Sequence, residues 1–252
     1  MNIKRSFKFF TSVVLCCTIT SCTCNDFNTS SFKNLRAGEQ VVVSANIDKK
    51  RLDEFFSYSD IPDNVWSEMQ GKTYRDNPYI KREDLRYIKF IHYDFEGKVR
   101  VGEIICNREI AKDLTDIFQE LFINSYPIER AVLPDYYDAD DEKQMQANNT
   151  SSFCYRPVAG TNVLSNHAKG MAIDLNTLYN PYCKIRKDGS LYVQPATAAQ
   201  YCDRTKSFAH KIDKNDLAYK LFTAHGFSWG GDWKSTKDYQ HFEKEQSTIK
   251  EE

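Results

Sequence analysis

Two runs rich in β-branched and aromatic residues constrain the fold of this chain more than any other feature. The first reads DLRYIKFIHYDF and the second VRVGEIIC, and the glycine-bearing turn EGK joins them. Such a pair is typical of an antiparallel hairpin. The residues that follow, REIAKDLTDIFQELF, repeat apolar side chains at helical spacing, and Asn107 stands where a helix cap is expected. The apolar positions are Ile110, Leu114, Ile117, Phe118 and Leu121.

A second helix is predicted over KNDLAYKLFTAH, which is followed by Gly226 at the position of a C-terminal glycine. Strands and helices are mixed without regular βαβ alternation. The sequence therefore predicts an α+β domain with an antiparallel sheet.

The amino terminus has the layout of a bacterial secretion signal. Lys4, Arg5 and Lys8 precede an apolar run that ends in ITSC, and the run is too short for a membrane span. The ITSC segment resembles the lipobox of bacterial lipoproteins, in which the cysteine is lipidated and becomes the first mature residue. Cys22 is the predicted anchor and Cys17 a weaker candidate. An ordinary cleaved signal or an uncleaved anchor is the alternative.

The body of the chain is large enough for one sizeable domain or two small ones, since about 230 residues remain after the signal. The formal net charge of −1 leaves no electrostatic footprint for nucleic acid. Residues 23–45 are polar and are predicted to form a tether behind the anchor. Residues 46–84 form an N-terminal extension of unknown role. We take the protein to be a monomer, although the sequence carries no signal of its oligomeric state.

Six of the eight cysteines lie at or beyond Cys22, in the part of an exported protein that can be oxidised. Cys183 and Cys202 flank an 18-residue segment, KIRKDGSLYVQPATAAQY, and a disulfide between them would close that loop. Spacing alone does not decide the pairing. Cys106 and Cys154 are equally well explained as small buried side chains.

The stretch SNHAKGMAIDLN, residues 165–176, places His167 and Asp174 seven positions apart. Side chains alternate along a strand, so Asp174 faces away from the apolar row of MAIDL. Gly170 gives the backbone the freedom to turn, which would let the His167 imidazole fold back beside the carboxylate. A zinc ion could use both groups, but a catalytic site needs a third protein ligand.

The chain has five histidines, and their contexts differ. His92 lies in a predicted strand, His210 in a polar loop and His225 at a helix end. His241 follows two tryptophans and a double glycine, and Asp238 precedes it by three residues. His241 is therefore the best candidate for the third ligand. A D-x-x-H pair alone is weak evidence, whereas its occurrence together with His167 and Asp174 favours a metal site.

At this point the motifs resemble a known family. SNHAKGMAID matches the S-x-H-x-x-G-x-A-x-D motif of the zinc D-alanyl-D-alanine carboxypeptidases and L-alanyl-D-glutamate endopeptidases. WGGDWKSTKDYQHF is similar to the W-G-G-D-W…D-x-x-H-F segment of the endopeptidase-like branch. The resemblance spans roughly residues 85–244, and we expect a peptidase domain over 85–246. It implies the fold shared with the Hedgehog signalling domain, a small antiparallel sheet that carries zinc and has helices packed on one face.

The resemblance also implies roles for individual residues. His167, Asp174 and His241 would bind one zinc ion per chain, and Asp238 would act as general base towards a water that the zinc activates. Ser165 would lie near the substrate, or alternatively serve as a local turn hydroxyl. Two imidazoles and a carboxylate suit zinc best, and affinity order alone would also admit cobalt or nickel.

Arg156 marks a departure from the family pattern. Relatives commonly place an arginine in a Y-R context thirty or more residues before the histidine ligand, whereas here CYRP puts Arg156 only eleven residues before His167. Arg156 would bind the substrate or stabilise a developing oxyanion, because its forked donors suit either group. A structural salt bridge is the competing interpretation.

The sequence thus predicts an exported, lipid-anchored zinc metallopeptidase that faces the periplasm or cell surface and hydrolyses peptidoglycan stem peptides. Carboxypeptidase and endopeptidase cleavage both remain open. One alternative is a non-catalytic zinc-binding cell-wall module, because the Hedgehog comparison warns that this fold can occur without catalysis. The other is a plain surface-interaction lipoprotein. The presence of Asp238 argues against the first, and the co-occurrence of both motifs argues against the second.

Overall fold

The computed structural model describes residues 32–43, 49–158, 161 and 163–246. The helices in these ranges are α1 (Lys49–Asp53), α2 (Asp63–Met69), α3 (Ala111–Ile123), α4 (Asp141–Gln146) and α5 (Leu217–Ala224). The strands are β1 (Ser57–Ser59), β2 (Leu85–Tyr93), β3 (Val99–Asn107), β4 (Ala172–Asp174), β5 (Tyr182–Ile185), β6 (Leu191–Gln194), β7 (Ser228–Trp229), β8 (Lys237–Asp238) and β9 (His241–Glu243). The strands form three small sheets with the orders β1-β2-β3, β4-β9-β7 and β6-β5-β8.

The predicted hairpin is confirmed as β2 and β3, which pair antiparallel from Leu85↔Asn107 to Tyr93↔Val99. Helix α3 packs on this sheet, where the Phe118 ring stacks on Phe90 with centroids 4.0 Å apart. The five apolar positions predicted for the helix are all buried. Burial of that apolar stripe is what fixes the helix on the sheet.

The predicted cap at Asn107 is wrong, because α3 begins only at Ala111. The Asn107 side chain instead accepts a hydrogen bond from the Glu109 backbone N–H and donates one to the Lys169 carbonyl. An asparagine amide competes well for nearby backbone groups outside a helix. Here that competition joins the end of β3 to the segment after His167.

The second predicted helix is confirmed as α5, with Asp216 as its side-chain cap. Gly226 follows it with φ of +83°, the left-handed conformation expected of a terminal glycine. Asp113 on α3 accepts a hydrogen bond from Lys244 Nζ at 2.8 Å and lies 3.1 Å from His225 Nδ1. This polar cluster ties α3 to the end of α5 and to the chain after β9.

The predicted α+β class is confirmed, with antiparallel pairing throughout the three sheets. β4 pairs with β9 so that Asp174 lies opposite His241. β5 pairs with β6 on one side and with β8 on the other. The second and third sheets thus share the short connection between β8 and β9, where the candidate site lies.

The N-terminal segments pack against the same body. Phe32 and Val41 are each only 2 % exposed, and the Val41 N–H donates to the Val99 carbonyl on β3. These residues belong to the range assigned to the tether, so its described part, residues 32–43, lies on the sheet. β1, within the extension at 46–84, pairs with β2. A second apolar cluster, which includes Met69, Leu85 and Phe153, joins the extension to the hairpin.

A disulfide joins Cys183 to Cys202, as the loop spacing had suggested, and Cys106 and Cys154 are buried free thiols. Across the described ranges, no helix is long and apolar enough to cross a membrane. The predicted signal and the candidate anchors Cys22 and Cys17 lie outside the described residues.

Candidate active site

His167, Asp174 and His241 converge on one point. Each offers a potential ligand atom, and these atoms lie within 4.8 Å of one another. Asp174 Oδ2 is 3.2 Å from His167 Nε2, and Asp174 Oδ1 is 3.0 Å from His241 Nδ1. The sheet explains the meeting, since Asp174 ends β4 directly opposite His241 at the start of β9. His167 begins the short 3₁₀ helix that leads into β4.

The outer nitrogen of each imidazole has its own acceptor. His167 Nδ1 lies 2.7 Å from the Ser152 carbonyl oxygen, and His241 Nε2 lies 3.0 Å from Glu243 Oε2. An acceptor at the outer nitrogen keeps the proton there, and the inner nitrogen then presents its lone pair. Two such imidazoles and a carboxylate are a donor set that fits zinc, with room for a fourth ligand.

The carboxylates around the two imidazoles also favour a bound cation. Although burial opposes it, hydrogen bonds to Asp174 and Glu243 raise the pKa of His241 to about 10. Burial likewise opposes ionisation of Asp174, yet the two imidazoles hold its pKa well below the ordinary value. The carboxylates therefore stabilise positive charge between them, and a divalent ion would meet the same demand.

Asp238 lies on β8 beside this metal-binding group. Burial, and then the nearby negative charge of Asp174, raise the pKa of Asp238 to about 7. Its Oδ1 atom is buried and has no hydrogen-bond partner among the described residues. A carboxylate that titrates near neutrality and keeps a free oxygen is suited to general base work.

Two glycines make the close packing possible. A Cβ atom on Gly230 would lie 2.6 Å from the Asp238 carbonyl oxygen and 2.9 Å from Asp238 Cβ. A Cβ atom on Gly170 would lie 2.6 Å from the Asn107 backbone nitrogen, and Gly170 also has φ of +68°. Gly170 thus supplies the turn predicted before β4.

Arg156 and Ser165 both line the cavity over the site. Arg156 Nε lies 2.7 Å from Asp141 Oδ2 on α4, which is the distance of an ion pair. The salt-bridge interpretation of Arg156 is therefore realised, while its side chain still faces the cavity. The Ser165 hydroxyl accepts a hydrogen bond from the His167 backbone N–H at 3.0 Å, which is the local turn role.

The cavity measures about 790 Å³ and reaches beyond the residues chosen from the sequence. One wall is the β5–β6 hairpin, which sequence reasoning did not connect with the site. Glu243 was missed as well, although it follows His241 by two positions on a strand and alternation would have placed it on the same face. The Ser152 carbonyl carries no signal in the sequence, because any residue would supply it.

Two histidines and an aspartate that could hold a metal ion, with a nearby acid lining the same cavity, are the kind of arrangement found in metallohydrolases. Residues 159–244 match the family model described as D-alanyl-D-alanine carboxypeptidase, in the M15 zinc peptidase family, which confirms the resemblance. The matched segment contains His167, Asp174, Asp238 and His241, whereas Arg156 lies before it. No solved structure matches the chain.

Proposed function

We propose that the protein hydrolyses an amide bond of peptidoglycan stem peptides, with zinc bound by His167, Asp174 and His241. The observation that carries the proposal is the convergence of these three side chains beside Asp238, within the segment that the family model matches. Zinc, when bound there, would lower the pKa of a water molecule and polarise the scissile carbonyl.

Side chains of the protein transfer the proton, orient the metal ligands and bind the substrate. Asp238 takes the proton of the attacking water at its free Oδ1 and returns it to the leaving amine. Glu243 and the Ser152 carbonyl hold the two imidazoles in orientation. Arg156 binds a substrate carboxylate or the developing oxyanion, and Asp141 holds it at the edge of the cavity. Ser165 supports the His167 turn.

Two bonds of the stem are candidates for cleavage. The description of the matched family favours removal of the terminal D-alanine. The second candidate is cleavage within the stem after its first L-alanine, and the cavity of about 790 Å³ has room for it. The WGGDW segment favours this second candidate.

A zinc-binding module without catalysis is the alternative from another class. Such a module needs no base, and an acid whose buried Oδ1 has no hydrogen-bond partner beside the metal ligands would lower stability there without serving any function. Asp238 therefore favours the enzyme.

Mass spectrometry of pentapeptide muropeptides after incubation with the zinc-loaded protein tests the proposal. We expect loss of one alanine for the carboxypeptidase, or release of the stem for the endopeptidase, and no product in chelator. Asp238→Asn should keep its zinc and lose turnover, whereas His241→Ala should lose both. Tightly bound zinc without cleavage of any stem would favour the binding module.

We also propose that Cys22 carries a lipid anchor and that the body faces the periplasm or cell surface. The basic residues, the apolar run and the ITSC segment support this. Metabolic labelling with a fatty acid should mark the wild type and Cys17→Ala but not Cys22→Ala. Labelling of Cys22→Ala at the wild-type level would refute the assignment.

A further inference from the structure

The β5–β6 hairpin presents one face to the cavity. Its cross-strand pairs Tyr182↔Gln194 and Lys184↔Tyr192 lie at alternate positions of the ladder, so these four side chains share a face. All four line the cavity. The hairpin therefore forms a wall of two tyrosines, an amide and a lysine.

This wall is continuous with the proposed base. Tyr182 on β5 lies opposite Asp238 on β8. Lys184 is two positions further along β5, about 7 Å by strand geometry, and adjacent strands lie about 5 Å apart, so its backbone is roughly 8 Å from that of Asp238. On the other face of β5, Cys183 is bonded to Cys202, which fixes the strand from behind. Lys184 thus stands at a defined position along any peptide bound over the base.

The acids that line the cavity already have roles. Asp141 pairs with Arg156, and Asp174 and Glu243 contact the histidines. The side chain of Lys184, in contrast, is exposed and makes no hydrogen bond or ion pair within the part of the chain that the structure describes. Arg186 follows on the same wall with its guanidinium 4.6 Å from the Tyr192 ring centroid. The wall therefore offers positive charge to a ligand.

We propose that Lys184 forms a cationic subsite for a free carboxylate of the stem peptide, the α-carboxylate of its γ-linked D-glutamate. This inference rests on the proposed function. A glutamate joined through its γ-carboxyl group leaves the α-carboxylate free within the chain, which an ordinary peptide does not. A lysine near the reacting bond would bind the γ-linked peptide in preference to an ordinary peptide. Amidation of that α-carboxylate would remove the negative charge that the lysine binds.

The expected discrimination is modest because Lys184 is exposed. One charge-assisted hydrogen bond at such a position corresponds to a preference of about tenfold for the carboxylate over the carboxamide. The preference should shrink as salt is added, since exposed charges are screened. It should appear in KM more than in kcat, because the contact is present in ground state and transition state alike.

Two synthetic stem pentapeptides that differ only in this group, α-carboxylate or α-carboxamide, provide the test. Their dissociation constants are measured by calorimetry on zinc-loaded Asp238→Asn, alone and combined with Lys184→Met. Lys187→Met is the matched control, because Lys187 is exposed in the turn of the same hairpin and does not line the cavity. Hydrolysis of the same two peptides is measured with the proteins in which Asp238 is intact: the wild type, Lys184→Met and Lys187→Met.

We expect Asp238→Asn and its Lys187→Met combination to bind the carboxylate about tenfold more tightly, and the Lys184→Met combination to bind both peptides equally. Equal binding before Lys184 is replaced, or a preference that survives its replacement, would overturn the subsite. Cleavage of both peptides at equal kcat/KM would overturn the subsite while leaving the proposed function intact. A preference in binding without cleavage by the protein with Asp238 intact would support the subsite and count against the peptidase.

Discussion

A methyl group at residue 230 would enter the space between the proposed base and one metal ligand. In the structure a Cβ atom on Gly230 would lie 2.9 Å from Asp238 Cβ and 3.3 Å from His241 Cβ. The Asp238 carbonyl oxygen, at 2.6 Å, is closer still. These atoms belong to the backbone or lie next to it, so no flexible side-chain end can move aside.

The required displacement sets the size of the effect. Non-bonded carbon atoms prefer a separation of about 3.5 Å, so Gly230→Ala must move Asp238 Cβ by about 0.6 Å. Overpacking of this kind typically costs about 1–3 kcal/mol of stability. A 1 Å misplacement of a reacting group costs about a hundredfold in rate, so kcat should fall by about ten- to a hundredfold. Zinc affinity should fall less, because the contact with His241 is the longer one.

Three measurements on Gly230→Ala separate these effects: kcat on the stem bond that the wild type cleaves, zinc affinity by competition with a chromophoric chelator, and thermal unfolding. Ser235→Ala is the control, since Ser235 is exposed in the same loop. Wild-type kcat in Gly230→Ala would show that the base does not depend on this close contact. A loss of zinc affinity as large as the loss of kcat would show that the ligands, rather than the base, move.

Three further predictions address other parts of the structure. Glu243→Gln should weaken zinc binding by about ten- to a hundredfold by replacing the carboxylate acceptor of His241 with a neutral amide, whereas Glu245→Gln at an exposed position should not. Equal affinities in the same chelator competition would remove Glu243 from the metal site. Replacing both Cys183 and Cys202 with alanine should lower the free energy of unfolding by about 3 kcal/mol, as measured with urea, since the disulfide closes a loop with a sequence separation of 19. Although burial opposes ionisation of Asp113, hydrogen bonds from Lys244 and His225 hold its pKa below the ordinary value of 3.8. The stability that ionised Asp113 contributes is therefore present above the pKa of the unfolded state and is lost as the pH falls through the lower pKa of the folded state. In chelator, the stability difference between wild type and Asp113→Asn should therefore stay constant above about pH 5 and shrink as the pH falls further, and a difference that does not shrink would contradict this.

The features that the sequence predicted well are those that local patterns determine. The β2–β3 hairpin follows from two runs of strand-forming residues around a short turn, and α3 from a repeating apolar stripe. The direction of Asp174 follows from strand alternation, since its neighbours on both sides are buried apolar residues. The start of α3 was misplaced because Asn107 bonds to the segment at Lys169, a contact across 62 positions that no local pattern reveals.

In the candidate site, too, local patterns predict some features and long-range contacts determine others. The meeting of His167 with His241 spans 74 positions, and family motifs rather than periodicity pointed to it. The hairpin β5–β6 could have been predicted from the DG turn between alternating residues. Its position beside the base could not, because that depends on pairing of Tyr182 with Asp238 between distant segments.

The metal-binding group and the base are supported by different sheets. Asp174 and His241 face each other across β4 and β9, whereas Asp238 is held on β8 against β5. Only Tyr239 and Gln240 lie between the two supports. A change behind β5 should therefore move the base and the hairpin wall together and leave the histidines in place. Loss of the Cys183–Cys202 disulfide is such a change, so it should lower kcat/KM while zinc affinity is retained.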